Sequence, residues 1–397
     1  MNILSHFNYD ELNIINLIKK ECLKHNRKAY LVGGVVRDFL LNKKPRDIDI
    51  CIECNPIDII KKIDFVKEYK YYEKFQTSTI TFKNGVILDL IRCRKEEYEF
   101  PGALPNIIPS NIYDDLYRRD FTINAIGYDI VNNKIIDPYN GVADLRNRIV
   151  KKVHIDSYNE DPTRIFRAIK YANRYNFYIN DLYEIRECID AQVFNTISSD
   201  RIVREILIAC SETNWIKNIL MYNELGILEI DLNLFNIGKK IYNYTCMDDR
   251  LINLFISMKN KNHRQLLINN SVLKKELKSA FRDFENLTYK LDRLLHSDIN
   301  NFNIYNILSR MSDTDIKLIS FNKSYKYLIL NYIKNMNNIS LNVTGKDLIN
   351  LGIKKGKQYR EILKRLLLLK LNTGILNEKQ YLYAKLGEIV NVNKHKN

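Results

Sequence analysis

The apolar positions of this 397-residue chain follow two different periods. Up to about residue 140, short apolar or alternating runs predict β-strands between helical segments: "AYLVGG", "DIDICIE", "STITFKNGVILDLIRCR" and "GYDIVNNKIIDP". From about Val142 onward the apolar residues recur at helical spacing, as in "SDRIVREILIACSE" and "GKQYREILKRLLLLKLN". All prolines lie between Pro45 and Pro162, so none interrupts the later helices. The pattern predicts a mixed α/β or α+β layer followed by an all-helical remainder.

An unusual pair of carboxylates stands in one predicted strand, "KPRDIDICIE". Ile48 and Ile50 alternate as on a buried face, and Asp47 and Asp49 share the opposite face because side chains two residues apart point the same way. Two such carboxylates can bridge a pair of Mg²⁺ ions about 3.5–4 Å apart for nucleotidyl transfer. Taken alone, the pair is more typical of an edge strand with a solvated acidic face.

The stretch upstream, "LVGGVVRDFLL", predicts a strand, a glycine turn at Gly33 and Gly34, and a helix that carries Arg37. Glycines let the backbone approach a phosphate closely, and an arginine adds charge-assisted donors. Anion binding about a dozen residues before the aspartates is the arrangement that nucleotidyl transfer requires. Downstream, Asp89 in "VILDLIRCR" is a candidate third metal ligand or general base.

Two further segments carry candidate substrate contacts. In "DLYRRDFTINAIGYDI", Arg118 and Arg119 are predicted to bind phosphates and Asp120 to accept a hydrogen bond from a ribose hydroxyl, with Asn124 four residues later. The alternative for this segment is a helix N-terminus with an internal salt bridge.

In "NEDPTRIFRAIKYANRYNF", Asp161 and Arg164 are three residues apart at the start of a helix. A carboxylate that accepts and a guanidinium that donates match the pairing edges of cytosine and adenine, whereas uracil and guanine would leave polar groups unpaired, at about 1–3 kcal/mol each. The pair could therefore select C and A without a nucleic-acid template. The alternative is a helix cap with an ordinary ion pair.

The charge of the chain favours a polyanionic partner. The net charge is +15, and the last 57 residues hold 12 Lys+Arg against 4 Asp+Glu. Lysines around glycine turns suit an RNA backbone that is recognised by shape and charge, although a solvated amphipathic helix is the alternative. The predicted RNA contacts are Lys346, Lys354, Lys355 and Lys357.

The cysteines and the N-terminus indicate a cytoplasmic protein with no membrane partner. Seven scattered cysteines are typical of reduced thiols, and the single CxxC of Cys51 and Cys54 lacks the second ligand pair that a structural zinc needs. The first residues predict an amphipathic helix, not a signal peptide, and no window approaches 18 uninterrupted apolar residues.

Taken together, five motifs in order resemble the class II tRNA nucleotidyltransferase and bacterial poly(A) polymerase family: "LVGGVVRDFLLNKKPRDIDI", "DLYRRDFTINAI", "IIDPYNGVADLRNRIV", "NEDPTRIFRAIKYANRYNF" and "SSDRIVREIL". The resemblance implies an α+β fold. It consists of a polymerase-beta-like nucleotidyltransferase head with a mixed five-stranded sheet and an all-α neck, body and tail. The implied boundaries are 1–140 for the head, 141–207 for the neck, 208–335 for the body and 336–397 for a basic, tRNA-binding tail.

The resemblance also assigns roles to matching residues. Asp47 and Asp49 match the metal-binding pair, with Asp89 a less certain third carboxylate. The triphosphate loop is matched by Gly33, Gly34, Arg37 and Asp38, and the ribose and phosphate motif by Arg118, Arg119, Asp120 and Asn124. Base recognition is matched by Glu160, Asp161, Arg164 and Arg167, and Arg201 and Glu205 match a motif that braces the neck helices.

Some positions depart from the family pattern. Asn140 stands where a second glycine is usual, and Lys170 and Tyr171 stand where Arg-Phe is common. The segment "KEEYEFPGALPNIIPSNIYDD" occupies the place of the family's mobile loop, whose sequence decides which nucleotides are added.

The expected function is template-independent addition of CMP and AMP to the 3′ end of tRNA, from CTP and ATP with two Mg²⁺ ions and release of pyrophosphate. A CC-only or A-only tRNA nucleotidyltransferase and a bacterial poly(A) polymerase are alternatives of the same class. An RNA-binding protein with a vestigial head is an alternative of another class, but it requires loss of a metal carboxylate or a triphosphate arginine, and none is missing. Both a monomer and a homodimer fit the sequence.

Overall fold

A mixed seven-stranded sheet organises the N-terminal part of the protein, for which a computed structural model describes residues 3–45, 47–241, 246–295, 300–320, 326–353 and 356–385. The strands of the described residues are β1 (Ala29–Val32), β2 (Asp49–Ile52), β3 (Val66–Tyr72), β4 (Thr77–Phe82), β5 (Ile87–Arg92), β6 (Arg94–Glu97), β7 (Asn106–Pro109), β8 (Gly127–Asp129), β9 (Lys134–Ile136), β10 (Ile149–Val150) and β11 (Tyr178–Ile179). The large sheet has the order β3-β4-β5-β2-β1-β8-β9, while β6 pairs with β7 and β10 with β11.

The central strands position the carboxylates. Strand β2 runs parallel to β5 and antiparallel to β1, and Asp49 is the register partner of Asp89. Ile50 and Ile52 are fully buried, and Cys51 between them is buried as well, so β2 is covered on both faces. Asp47 and Asp49 therefore stand where a deeply buried strand of the sheet begins.

The predicted α+β class is confirmed, but the expected number of five strands in the sheet was too low. The run "GYDIVNNKIIDP" forms the hairpin β8–β9, which pairs with the free edge of β1 and extends the sheet. Strand β3 was not predicted because it is a mostly exposed edge strand, with Tyr69 and Tyr72 open to solvent, and so lacks an apolar period.

Helices surround this sheet and continue the same compact unit, which comprises residues Met1–Glu229 and Asn270–Val272. They are α1 (Tyr9–Lys24), α2 (Gly34–Leu40), α3 (Pro56–Ile60), α4 (Ile112–Tyr117), α5 (Gly141–Asn147), α6 (Ser157–Glu160), α7 (Thr163–Tyr175), α8 (Leu182–Asp190), α9 (Ser199–Ser211) and α10 (Trp215–Glu224). Short 3₁₀ turns span Ile3–His6, Glu73–Phe75, Thr122–Asn124 and Val193–Thr196. Helix α7 packs on α9 and α10, with Phe166 of α7 against Phe194 and Tyr222.

The second compact unit, Ile230–Asn269 and Leu273–Asn397, is helical in its described residues, apart from one isolated β-bridge. Its helices are α11 (Leu232–Ile241), α12 (Met247–Ser257), α13 (Lys261–Ile268), α14 (Lys275–Leu295), α15 (Asn301–Leu308), α16 (Asp313–Ile319), α17 (Lys326–Asn331) with a π-helical extension Tyr332–Met336, α18 (Gly345–Asn350), α19 (Lys357–Thr373) and α20 (Glu378–Ala384). One apolar cluster, including Leu308 and Leu371, joins α15 to α19, and another, including Leu348 and Leu382, joins α18 to α20.

The boundaries predicted at 140, 207 and 335 stay predictions. None of the described helices combines the length and the apolar character needed to cross a membrane.

Candidate active site

One polar cleft of about 510 Å³ in the N-terminal unit collects most of the residues that the sequence singles out. The predicted site residues that line it are Gly33, Gly34, Arg37, Asp38, Asp47, Asp49, Arg118, Arg119, Asp120, Asn124, Asp161, Arg164 and Arg167. Asp89 and Glu160 are not among the lining residues. Five lining residues were not predicted as site residues: Glu96, Tyr98, Thr163, Tyr171 and Arg174.

The glycine turn before α2 lies in close contact with an arginine side chain. Gly33 has a φ of 68°, in the left-handed region that favours glycine, and a Cβ at this position would lie 2.6 Å from Nη1 of Arg119. The turn and Arg119 are therefore in close contact, and both line the cleft. An anion bound at this turn would meet the guanidinium of Arg119.

Replacing Gly33 with Ala is expected to lower substrate affinity, because the new Cβ must displace Arg119 and the backbone must hold a strained φ. Strain of this kind costs about 1–3 kcal/mol, which corresponds to a weakening of roughly 5- to 150-fold if it falls on binding. Calorimetric titration with ATP measures the effect, with Gly85→Ala as control, because Gly85 also has a positive φ but nothing lies within 4 Å of its added Cβ. Equal ATP affinities for the two variants would contradict the close-contact argument.

The aspartate pair has no cationic partner among the described residues. No described Lys, Arg or His lies within ion-pair distance of Asp47 or Asp49, and both side chains line the cleft. Burial raises the pKa of Asp49, with Arg119 opposing the shift and Asp89 and Asp47 adding to it, and the resulting pKa is about 6. Asp89 accepts a hydrogen bond from the Thr79 hydroxyl at 2.6 Å. The three carboxylates therefore form a local excess of negative charge.

No described group of three or more His, Cys, Asp or Glu side chains is arranged to hold a metal by protein ligands alone. The two cysteines of the CxxC do not face a common site in the cleft. The Cys51 Sγ lies 2.9 Å from the Sγ of Cys93, and Cys54 is buried.

The arginines of the "RRD" segment are oriented by a buried carboxylate. Asp115 in α4 accepts from Nε and Nη2 of Arg118, at 2.9 and 2.7 Å, and from the same two nitrogens of Arg119, at 3.3 and 2.8 Å. Burial alone would raise the pKa of Asp115, but the two guanidinium groups outweigh it and lower the pKa to about 2. Arg118 also pairs with Glu96. Asp115 thus holds both arginines at the cleft.

The carboxylate of Asp120 accepts hydrogen bonds from donors of the protein itself at both oxygens. Its Oδ1 accepts from the Phe121 N–H and the Asn124 side chain, at 2.8 and 2.9 Å, and its Oδ2 accepts from Nε and Nη2 of Arg167. A carboxylate offers about four acceptor positions, so all are filled. Burial would raise the pKa of Asp120, but Arg167 and Asn124 lower it to about 2. A ribose hydroxyl would have to replace one of these donors.

Arg37 is buried between two tyrosines and tied to its neighbours. Its guanidinium carbon lies 5.2 Å from the ring centre of Tyr171 and 5.0 Å from that of Tyr175. It donates to the Asn124 side-chain oxygen at 2.5 Å and to Asp38, which also accepts from the Tyr175 hydroxyl. Tyr171, one of the departures from the family pattern, therefore supports the cleft wall.

The predicted base-recognition residues lie together, but Asp161 and Arg164 form no ion pair with each other. Oδ1 of Asp161 accepts from the Thr163 amide and hydroxyl and from Nη2 of Arg201 at 2.7 Å. Arg201 also donates to the Gly102 carbonyl. Arg201, predicted as a brace for the neck helices, thus also orients Asp161 and fixes a residue of the family's loop segment.

Two other positions singled out in the sequence, Glu205 and Asn140, do not line the cleft. Glu205 lies 4.0 Å from Lys170, another departure from the family pattern, and links α9 to α7. Asn140 adopts a left-handed φ of 59°, which asparagine tolerates well, and a Cβ at Gly141 would overlap the Thr122 carbonyl oxygen. The usual glycine is therefore dispensable at position 140 but not at 141.

The predicted RNA-contacting lysines are described only in part. Lys346 is exposed in the first turn of α18. Lys354 and Lys355 lie outside the described residues, and Lys357 begins α19, with its side chain outside the described part.

Known proteins match this architecture. Residues 29–151 match the family described as the poly A polymerase head domain. The A-adding tRNA nucleotidyltransferase of Geobacter sulfurreducens is 29% identical over 388 residues, covering 87% of this chain and 43% of the relative. The CCA-adding enzyme of a Geobacillus species is 32% identical over 194 residues, covering 46% of this chain and 45% of the relative. The chain spans less than half the length of these two curated relatives.

Solved structures extend the likeness beyond the head. A CCA-adding enzyme in its apo form II superposes with a TM-score of 0.77 at 25% identity, covering 97% of each chain. The Thermotoga maritima CCA-adding enzyme complexed with tRNA superposes with a TM-score of 0.73 at 24% identity, covering 98% of this chain and 97% of that one. Residues 29–151 are thus similar to poly A polymerase head domains, and the family resemblance inferred from the motifs is confirmed. The predicted nucleotidyltransferase class agrees with the names of these relatives.

Proposed function

We propose that the protein is a template-independent RNA nucleotidyltransferase that adds CMP and AMP to the 3′ end of tRNA and releases pyrophosphate. The observation that carries this proposal is that a single cleft contains an aspartate pair without a described cationic partner, a glycine turn in contact with an arginine, and the Asp161 and Arg164 side chains. Further support comes from solved structures of similar fold, which are CCA-adding enzymes complexed with tRNA, with CTP and with ATP.

The aspartate pair fits Mg²⁺. Mg²⁺ takes oxygen ligands, and at nucleotide sites it is commonly held by one or two carboxylates together with substrate phosphates rather than by a cage of protein ligands. Asp47 and Asp49 supply two cleft-lining carboxylates and therefore would hold two such ions in this way. Bound there, Mg²⁺ would neutralise charge on the triphosphate and favour ionisation of the attacking 3′-hydroxyl.

The protein's own residues bind and orient the nucleotide. The Gly33 turn and Arg119 contact the phosphates, and Asp115 keeps Arg119 in place during binding. Asp120 holds Arg167 and Asn124, and through Asn124 it fixes Arg37. These interactions pre-organise the cleft, so little side-chain entropy is lost when the substrate binds.

Nucleotide choice rests on Asp161 and Arg164. The carboxylate accepts from the exocyclic amine of cytosine or adenine, and the guanidinium donates to the adjacent ring nitrogen. Uracil and guanine present the opposite pattern on the same edge. Because Arg201 and Thr163 bond the same oxygen of Asp161, they orient the carboxylate for this contact.

An assay with labelled tRNA that ends at the discriminator base tests the proposal. Incubation with CTP alone, ATP alone, or both should give products extended by two, zero and three nucleotides. A tRNA that already ends in CC should gain one nucleotide from ATP. Absence of product with every combination would contradict the proposal and favour an RNA-binding protein.

A-only addition is the second candidate, because the relatives from Aquifex aeolicus, Geobacter sulfurreducens and Halalkalibacterium halodurans include A-adding tRNA nucleotidyltransferases. Extension only of the tRNA ending in CC would identify this activity. Long adenylate tails would identify a poly(A) polymerase.

The basic tail is proposed as part of the tRNA-binding surface. Lys346→Glu should weaken tRNA binding and reduce the slope of log affinity against log salt by about 0.7–0.9 for each phosphate that is no longer neutralised. Binding titrations at several salt concentrations measure this slope. Lys24→Glu serves as control, since Lys24 is an exposed lysine at the end of α1 in the other unit. Indistinguishable slopes for both variants would contradict a role for Lys346.

A further inference from the structure

The guanidinium of Arg164 is one of the most enclosed polar groups in the cleft wall. The residue is only 4% exposed, although it lines the cleft. Its Nη2 donates to the Arg118 carbonyl at 2.9 Å and reaches the Tyr98 hydroxyl at 3.4 Å. A planar guanidinium can rotate about its side-chain bonds, so an arginine that reads a base needs acceptors that fix its plane.

Ser157 supplies the closest of these acceptors. Its hydroxyl oxygen accepts from Nη1 of Arg164 at 2.8 Å, and its carbonyl oxygen lies 3.3 Å from the same nitrogen. The side chain of Ser157 is fully buried at the first residue of α6. The buried hydroxyl is therefore in direct hydrogen-bond contact with the guanidinium.

His154 is the second residue that faces the same nitrogen. It lies between β10 and α6, and its ring stacks on Tyr117 with centroids 4.9 Å apart and planes 26° apart. Its Nε2 lies 3.3 Å from Nη1 of Arg164 and 3.3 Å from the Glu160 carboxylate. Burial and the adjacent Arg164 lower the pKa of His154 to about 4, so the ring is neutral at pH 7 and its Nε2 can accept a hydrogen bond from the guanidinium.

We propose that His154 and Ser157 are positioning residues that fix the plane of the Arg164 guanidinium against the base of the incoming nucleotide. The inference rests on the proposed function, because it assigns Arg164 a base to read. Neither residue is among those that line the cleft. They act on selectivity through Arg164, since a base-reading group held loosely accepts the wrong pairing edge more readily.

The two roles of His154, packing and accepting, can be separated by substitution. His154→Phe keeps a ring on Tyr117 and removes the acceptor, whereas His154→Gln loses the ring and keeps an acceptor. Ser157→Ala removes the hydroxyl and leaves the backbone carbonyl. His25→Phe, at an exposed histidine after α1, is the matched control.

The measurement is the ratio of kcat/KM for the preferred nucleotide to kcat/KM for UTP and for GTP, on a tRNA of defined end. His154→Phe and Ser157→Ala should each lower this ratio by about tenfold, the effect of one hydrogen bond to a charged group. His154→Gln should keep the ratio within about threefold of the unsubstituted protein, as His25→Phe should. Thermal unfolding of each variant verifies that the fold is retained.

The outcomes separate this inference from the proposed function. If the unsubstituted protein selects its nucleotides, and Arg164→Lys loses that selectivity while His154→Phe and Ser157→Ala keep it, the positioning role is overturned and the function stands. A loss of selectivity in His154→Gln without a loss in His154→Phe would also overturn it, since packing of the ring alone would then explain the effect. If the unsubstituted protein shows no preference among the nucleotides, both the positioning role and the proposed function are overturned.

Discussion

Asp49→Asn is expected to lower the rate of nucleotide incorporation by at least about 1,000-fold, which corresponds to roughly 4 kcal/mol of lost transition-state stabilisation. The amide has the shape of the carboxylate but no charge with which to hold a divalent ion. The fold should be retained, because Asp49 forms no ion pair with a described residue and the substitution removes repulsion from Asp47 and Asp89. Asp47→Asn should have the same effect.

Single-turnover incorporation of labelled CMP or AMP measures this loss, and a tRNA-binding titration shows whether the substrate is still bound. Asp58→Asn is the matched control, since Asp58 is exposed in α3 and lies outside the cleft. Activity of Asp49→Asn within about tenfold of the control would refute the assignment of the aspartate pair.

Arg164→Lys should remove most of the protein's nucleotide selectivity while leaving the charge in place. Lysine has no planar fork, so it cannot hold Ser157 and the Arg118 carbonyl and also present a donor to a ring nitrogen. A site that hydrogen-bonds its substrate loses discrimination between substrates when the hydrogen-bonding side chain is replaced. We expect preference over UTP and GTP to fall by about 100-fold or more.

Competition assays that mix CTP or ATP with UTP or GTP measure this preference. Arg186→Lys is the control, because Arg186 is an exposed arginine of α8 outside the cleft. Rejection of UTP by Arg164→Lys at the level of the control would mean that the base is read by another group.

Much of the cleft could be predicted because its key residues form local patterns. The alternation that predicts one face for Asp47 and Asp49 is visible within a few residues, and the glycine turn precedes its helix directly. The pairing of Asp115 with Arg118 and Arg119 is also local, at helical spacings of three and four, and this signal could have identified it.

Contacts between distant segments could not be predicted from one chain. The bond from Arg201 to Asp161 spans 40 residues, and the contact of Arg164 with Tyr98 spans 66. No periodicity links these positions, so the roles of His154, Ser157 and Tyr98 emerge only when β6, α6 and α7 are brought together. The same holds for Asp120, because its neighbours in sequence do not reveal that Arg167 donates hydrogen bonds to its carboxylate.

The binding of Mn²⁺, a paramagnetic substitute for Mg²⁺, shows whether the aspartate pair holds two divalent ions. Electron paramagnetic resonance counts the bound ions in the presence of a non-hydrolysable CTP or ATP analogue. We expect two ions per chain in the unsubstituted protein and loss of both in Asp47→Asn/Asp49→Asn, with Asp58→Asn unchanged. Equal Mn²⁺ binding by the double variant and the control would contradict it.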